Sequence, residues 1–268
     1  MQVGVQYVFG CHSIILGLKL RSRSRHPLGL VNRLPWRFHL NDGHCMITVH
    51  HLNNSRSQRI LWLLEELGLE YEIKHYERDA KTMLAPPALR KVHPLGKSPV
   101  ITDGNLTLAE SGAIIDYLIE RYGAGRLSPA ASTPEKLRYT YWLHYAEGSA
   151  MPPLLLKLVF DKIETAPMPF FIRPIAKAIS GKAKSSFIEP QIRQHLDYLE
   201  AELGKGEWFV DDEFSGADIQ LSFVVEAAAA RGGLNNSRPS LMNYLKRIHA
   251  RPAYLRALER GGEYKLLA

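Results

Sequence analysis

The sequence predicts a small mixed α/β domain of order β-α-β-α-β-β-α followed by an all-α helical domain. Three observations predict it. Strand-like and helix-like patterns alternate over about 80 residues from Met46. From Pro134 onward, apolar residues recur at helical spacing, most plainly in Ile192, Leu196, Leu199 and Leu203. Within that second half, Ala217 to Ala230 is apolar nearly all round, the pattern of a central buried helix.

Ile47 to Leu52 reads as the first strand. Ser55-Arg56-Ser57-Gln58 then opens a helix whose apolar face is Ile60, Leu61, Leu63, Leu64 and Leu67, and which ends at Gly68. Tyr71 to Glu77 alternates as a second strand. After a loop holding Pro86 and Pro87, a helical segment near Ala88 to Val92 leads to His93-Pro94-Leu95-Gly96. Ser98 to Thr102 and Leu106 to Ala109, joined by Asp103-Gly104-Asn105, read as a hairpin, because an Asp-Gly pair between apolar residues marks a tight turn. Glu110-Ser111 begins a helix with Ile114, Ile115, Leu118, Ile119 and Tyr122 on one side, which stops at Gly123. Gly123 to Thr133 is the natural linker, so residues 46–125 and 133–262 are the expected domains.

The 268 residues carry a net charge of +7, and most of it sits at the front. Residues 1–45 hold six basic side chains and one acidic one, leaving 28 basic and 26 acidic groups for the rest, a net of only +2. The body therefore offers little of the basic surface that nucleic acid requires. Both cysteines, Cys11 and Cys45, also lie in the first segment. A disulfide framework, a Cys-ligated metal and a cysteine nucleophile are excluded for residues 46–268, a composition that fits a reducing compartment. The apolar run Ile14 to Leu18 is too short for a secretory core and precedes its arginines. A transit peptide matches the composition, but His-Pro-Leu-Gly and Leu-Pro-Trp interrupt any helix. Residues 1–45 are expected to be a disordered extension, or a stretch that the mature protein lacks, with Met46 a sensible start. No run reaches the eighteen apolar residues of a membrane span. Eleven histidines form no His-x-x-x-His or His-Glu-x-x-His pair, so no metal site is expected.

Four motifs carry chemistry or structure. Asn53-Asn54-Ser55-Arg56-Ser57 stands where the first strand ends and the first helix begins. A hydroxyl there lies at the positive end of a helix dipole, where it serves either as a plain N-cap or as a hydrogen-bond donor to a bound thiolate. Leu95-Gly96-Lys97-Ser98-Pro99 enters the third strand, and a cis Ser98-Pro99 bond would turn the Ser98 backbone toward a ligand. A phosphate loop is excluded, because position 91, where that pattern needs glycine, is Lys91. Glu110-Ser111 offers a helix N-terminus to a carboxylate, with Ser111 as a further donor and Glu110 as a partner for an ammonium group; an ordinary cap is the competing reading. Ser215 and Asp218 have the spacing of a capping box and read as structural. Tyr139, Tyr141, Trp142, Tyr145 and Met151 lie on or near one helix, most of them core, with one or two available to line an apolar pocket.

Together these motifs resemble the cytosolic glutathione transferases, which join a thioredoxin-like N-terminal domain to an all-helical one. The resemblance covers residues 46 to about 262. It rests on Ser-Arg-Ser-Gln-Arg-Ile-Leu-Trp-Leu-Leu-Glu-Glu-Leu-Gly-Leu-Glu-Tyr, His-Pro-Leu-Gly-Lys-Ser-Pro-Val, Leu-Ala-Glu-Ser-Gly-Ala-Ile and the Ser-Gly-Ala-Asp cap. The chain looks most like the serine-type branch of bacteria and fungi, to a segment of which Pro169-Phe170-Phe171-Ile172-Arg173-Pro174-Ile175 is similar. The resemblance implies that Ser98, before a cis Pro99, pairs its backbone with the cysteinyl part of glutathione. It implies that Glu110 and Ser111 hold the γ-glutamyl end, that Lys97 assists near the glycyl end, and that Ser55 is the activating hydroxyl, with Asn54 and Ser57 as alternates. Two positions depart from the family pattern: His93 stands where Asn is usual, and Ser98 where an aliphatic residue is usual.

The expected reaction is attack of the glutathione thiolate on a hydrophobic electrophile in a pocket built largely by the helical domain, with Tyr141 and Tyr145 as candidate lining. Glutathione is then a co-substrate, and no permanently bound cofactor is expected. Reduction of hydroperoxides on the same site, or a non-catalytic binding module, are the rival readings. The family further implies a homodimer; a cytoplasmic location is expected, and the near-neutral body and the lack of a span lead to the expectation of neither nucleic acid nor membrane as partner.

Overall fold

The first strand, β1 (Ile47–Leu52), is buried along almost its whole length because it lies inside the sheet. The structure, a computed structural model, describes residues 46–80, 82, 84–264 and 266. The expectations for residues 1–45 lie outside the described residues. The sheet order is β2-β1-β3-β4, with β2 (Tyr71–Tyr76) parallel to β1, and with β3 (Val100–Asp103) antiparallel to both β1 and β4 (Leu106–Ala109). The β3–β4 connection is a two-residue turn. Asp103 pairs with Leu106, and Gly104 takes φ +56°, a backbone open to glycine at little cost.

Helix α1 (Ser57–Leu67) crosses from β1 to β2. The sequence gives it one apolar face, yet it is buried from Ser57 through Leu64, because the sheet covers one side and helices of the second half cover the other. It ends on Gly68 at φ +71°, with Leu69 N–H donating to Leu64 O at 3.0 Å and Gly68 N–H to Glu65 O at 3.3 Å, a Schellman stop. The second helical segment is a 3₁₀ turn, Pro87–Lys91, not an α-helix. Pro94 disfavours helical backbone at His93, which leaves room for little more than one turn. Helix α2 (Ser111–Tyr122) closes this half.

The rest is helical, as the spacing predicts. It comprises α3 (Pro134–Tyr145), α4 (Met151–Thr165), α5 (Arg173–Ala183), α6 (Glu189–Leu203), α7 (Gly216–Ala227), α8 (Pro239–His249) and α9 (Pro252–Gly261). Single π turns, Ala146–Ala150 and Lys184–Ile188, join α3 to α4 and α5 to α6. Pro152, Pro153 and Pro190 have no N–H to donate back, and their rings press on the preceding turn, so each helix widens just ahead of its prolines. Every residue of α7 is buried. Its start is the predicted capping box: Ser215 N–H donates to Asp218 at 2.9 Å, and Ala217 N–H donates to Ser215 Oγ at 3.3 Å.

Candidate active site

Strand register assembles the site. β1 and β3 pair through His50 and Val100, and β3 and β4 through Val100 and Ala109. Extending that ladder by two residues aligns Leu52, Ser98 and Ser111 at one end of the sheet. The Leu52 N–H does donate to Ser98 Oγ at 3.3 Å. The Ser98–Pro99 bond is cis. Pro99 has no N–H for the ladder, and the Ser98 hydroxyl donates instead to His50 O at 2.9 Å. Ser98 therefore ties this loop to β1 through its side chain, a contact that the aliphatic residue usual at this position could not make.

Beyond Leu52 the chain turns through Asn53, whose N–H donates to Tyr76 O at 3.1 Å and whose Oδ1 accepts from Arg78 N–H at 3.1 Å. Asn54 follows in the left-handed region, φ +51°, which asparagine tolerates better than most side chains. Ser55 then acts as a cap, its Oγ accepting from Ser57 N–H at 3.2 Å and its carbonyl from Gln58 N–H at 3.3 Å. The Ser55 and Ser57 hydroxyls share a hydrogen bond of 2.8 Å, and Ser57 Oγ lies 2.9 Å from His51 Nδ1. Burial, reinforced by His75, pushes the His51 imidazole down to about 4, so the ring is neutral at pH 7. A backbone hydrogen bond with Gly261, at the end of α9, favours the protonated ring, as an accepting carbonyl does. With that hydrogen on the nitrogen facing Gly261, the neutral ring offers Nδ1 as an acceptor to Ser57.

Across the end of the sheet, Glu110 precedes α2 with φ +71° and ψ +119°, outside the comfortable range of any residue but glycine. This turn sets Ser111, buried, at the first position of α2, where the helix N–H groups are without intrahelical acceptors. Glu110 and Lys97 are exposed.

Arg56 and Arg59, at the start of α1, converge on Glu147 in the first π turn. Arg56 Nε bonds both carboxylate oxygens at 2.9 and 3.0 Å, and Arg59 bonds the same carboxylate and, at 2.5 Å, Gln220 O on α7. Burial would raise the Glu147 carboxyl, but Arg59 and Arg56 outweigh it and hold it below the usual carboxylate range. The Arg56 guanidinium also lies 4.9 Å from the centre of the Phe223 ring.

Residues 45–120 match the family model of the glutathione S-transferase N-terminal domain, and residues 160–252 that of the C-terminal domain. Glutathione S-transferase 1 of Saccharomyces cerevisiae is 34% identical over 80% of this chain and 95% of its own length. Glutathione S-transferase 3 of Schizosaccharomyces pombe is 36% identical over 80% of this chain and 88% of its own length. The chain belongs to the glutathione S-transferase family. The crystal structure of a glutathione S-transferase from Actinobacillus pleuropneumoniae agrees, with 34% identity, a TM-score of 0.67, and coverage of 83% of this chain and 96% of that one.

Within this glutathione S-transferase, Ser55, Asn54, Ser57, Ser98, Pro99, Lys97, Glu110 and Ser111 lie on the strand ends and helix starts gathered at one end of the sheet. Tyr141 and Tyr145 do not join them. Tyr145 OH lies 2.7 Å from His195 Nδ1 on α6, and its ring stacks on Tyr141 and meets Trp142 and Tyr198 edge-on. Tyr141 borders a groove of about 460 Å³ with Leu137, Arg138 and Tyr198, between α3 and α6. Two residues past Tyr145, Glu147 reaches the start of α1. His51, Arg56, Arg59 and Glu147 escaped the sequence reading. A trace of Arg59 is visible there, since it is a charged residue next to the apolar run of α1. Among the described residues no group of three or more His, Cys, Asp or Glu could hold a metal ion.

Proposed function

We propose that this protein transfers the thiolate of glutathione to hydrophobic electrophiles, and that Ser55 is the hydroxyl that stabilises the thiolate. The observation that carries this reading is the position of Ser55 Oγ at the start of α1, on the same end of the sheet as Ser98, cis Pro99 and Ser111. A free thiol with a pKa of about 8.5 is only a few per cent ionised at pH 7, and lowering it by about two units makes the thiolate the main form. With Ser57 donating to His51, the Ser55 hydrogen points to Ser57 Oγ in the free protein; turned from there to the sulfur, the Ser55 hydroxyl acts in that direction together with the dipole of α1. What favours Ser55 over Ser57 is that the Ser57 hydroxyl is enclosed by Ser55, His51 and the Leu52 backbone. Asn54 contributes its left-handed backbone to the turn that presents Ser55.

In this reading the Ser98 backbone pairs with the cysteinyl residue, Glu110 and Ser111 take the γ-glutamyl ammonium and carboxylate, and Lys97 approaches the glycyl end. The Arg56–Glu147–Arg59 cluster fixes the first turn of α1, so that the Ser55 hydroxyl stays aimed. A homodimer and a cytoplasmic location complete the proposal. The test is conjugation of a chloronitroarene by wild type and Ser55→Ala, with an organic hydroperoxide assayed in parallel. Ser55→Ala should lower kcat/KM for conjugation roughly tenfold or more at pH 7. Unchanged conjugation would remove Ser55 from this role, and a wild type that reduces the peroxide but leaves the arene untouched would replace the reaction.

A further inference from the structure

Among the described residues seventeen large apolar side chains are exposed, and ten of them fall between Leu155 and Phe187. They crowd onto the hairpin in which α5 packs against α4. Phe170 and Phe171, in the connecting loop, are 83% and 64% exposed, and Ile175 and Ile179 on α5 are 60% and 63% exposed. At 100° per residue, Ile172, Ile175 and Ile179 lie within about 60° of one another around α5. Ser180 is the one buried residue of that helix, so α5 rests on its neighbour by a narrow seam and leaves the isoleucine stripe uncovered.

Charge separates this surface from the rest of the molecule. Residues 166–188 hold Arg173, Lys177, Lys182 and Lys184 and no acidic residue, although the chain from residue 46 onward is almost neutral. Lys184 pairs with Asp161 and Glu164 of α4. Arg173, Lys177 and Lys182 are exposed and form no ion pair among the described residues. We propose that the α4–α5 tip docks on an anionic lipid bilayer, with Phe170, Phe171, Ile175 and Ile179 entering the headgroup boundary and Arg173, Lys177 and Lys182 meeting the lipid anions.

An in-plane helix with bulky apolar residues and a basic complement is the form that binds such an interface, and long basic side chains reach from the apolar level to the headgroups. A second copy is the weaker match for this face. A two-fold contact through residues 166–188 would set basic groups against their own kind with no acid in the segment to pair them. The sequence expects no membrane partner because it lacks a span, and no helix among the described residues is long and apolar enough to cross a membrane. Peripheral docking requires neither.

The test is co-sedimentation of the full chain with vesicles of phosphatidylcholine alone and of phosphatidylcholine with about 30% phosphatidylserine. Binding should be about tenfold stronger on the anionic vesicles and should fall at high salt. Phe170→Ser/Phe171→Ser, and separately Lys177→Glu/Lys182→Glu, should each weaken binding about tenfold, with far-ultraviolet circular dichroism and sedimentation mass unchanged. A wild type that stays in the supernatant with anionic vesicles, or variants that bind as well as wild type, would overturn the proposal. A change of sedimentation mass in the Phe170→Ser/Phe171→Ser variant would assign the face to a second copy and overturn it as well.

Discussion

His51 sits at the end of β1 with Ser57 on one side, His75 of β2 beside it and the Gly261 backbone beyond. Its pKa falls from 6.5 in the unfolded chain to about 4 in the fold, chiefly through burial. The fold therefore favours the neutral ring. The stability this brings is fully present above pH 6.5 and is lost as pH falls toward 4, a change of about 3 kcal/mol for that shift. His51→Asn removes the titration. The stability gap between wild type and His51→Asn, measured by urea unfolding, should shrink by up to about 3 kcal/mol from pH 6.5 to pH 4. A gap independent of pH would contradict this. The same neighbourhood illustrates what a sequence discloses at this scale. Ser55, Ser98 and Ser111 are visible because each occupies a position that local pattern marks: after a strand, before a proline, at a helix start. His51 is not, because its setting depends on Gly261, at the far end of the chain. Nor is Glu147, whose partner Arg56 lies 91 residues away.

At the scale of elements, α7 depends on one carboxylate. Asp218 accepts from Ser215 N–H at 2.9 Å, Ser215 Oγ at 3.1 Å and Phe209 N–H at 3.0 Å. Burial pushes it up to about 6 against the pull of these donors, which leaves it ionised at neutral pH. Asp218→Ala strands buried N–H groups at the start of the central helix and should cost about 2 to 5 kcal/mol, read as a lower urea midpoint; a loss under about 1 kcal/mol would refute the assignment. This cap is legible in the sequence because Ser215 and Asp218 are three residues apart and precede an apolar run. The π turns are not. They shift the helical phase by one residue, and apolar spacing cannot distinguish that from a change of face; their only trace is Pro152, Pro153 and Pro190. The same ambiguity of face leaves Tyr141 and Tyr145 unplaced by the sequence, since α3 is aromatic on more than one side and spacing does not reveal which side meets α6.

For the whole molecule, α1 is the shared wall of the two halves, and its first turn is where they lock. Arg59 is fully buried, bonded to Gln220 O of α7 and to Glu147, and burial lowers its pKa against the attraction of Glu147. Glu147→Ala leaves that cation without its counter-charge. It should destabilise the protein by about 3 to 5 kcal/mol and lower kcat more than it raises KM for glutathione, because the residue aims α1 without touching the ligand. The order of strands and helices, and the family, are legible in motifs each confined to a few residues; the lock across α1 is made of long-range pairs and is read only from the fold. The central claim, that Ser55 holds glutathione as its thiolate, is tested most directly by titrating the ultraviolet thiolate band of bound glutathione. Wild type should give a midpoint about two units below the free value of about 8.5, and Ser55→Ala should return it most of the way. Equal midpoints in the two proteins would contradict the claim.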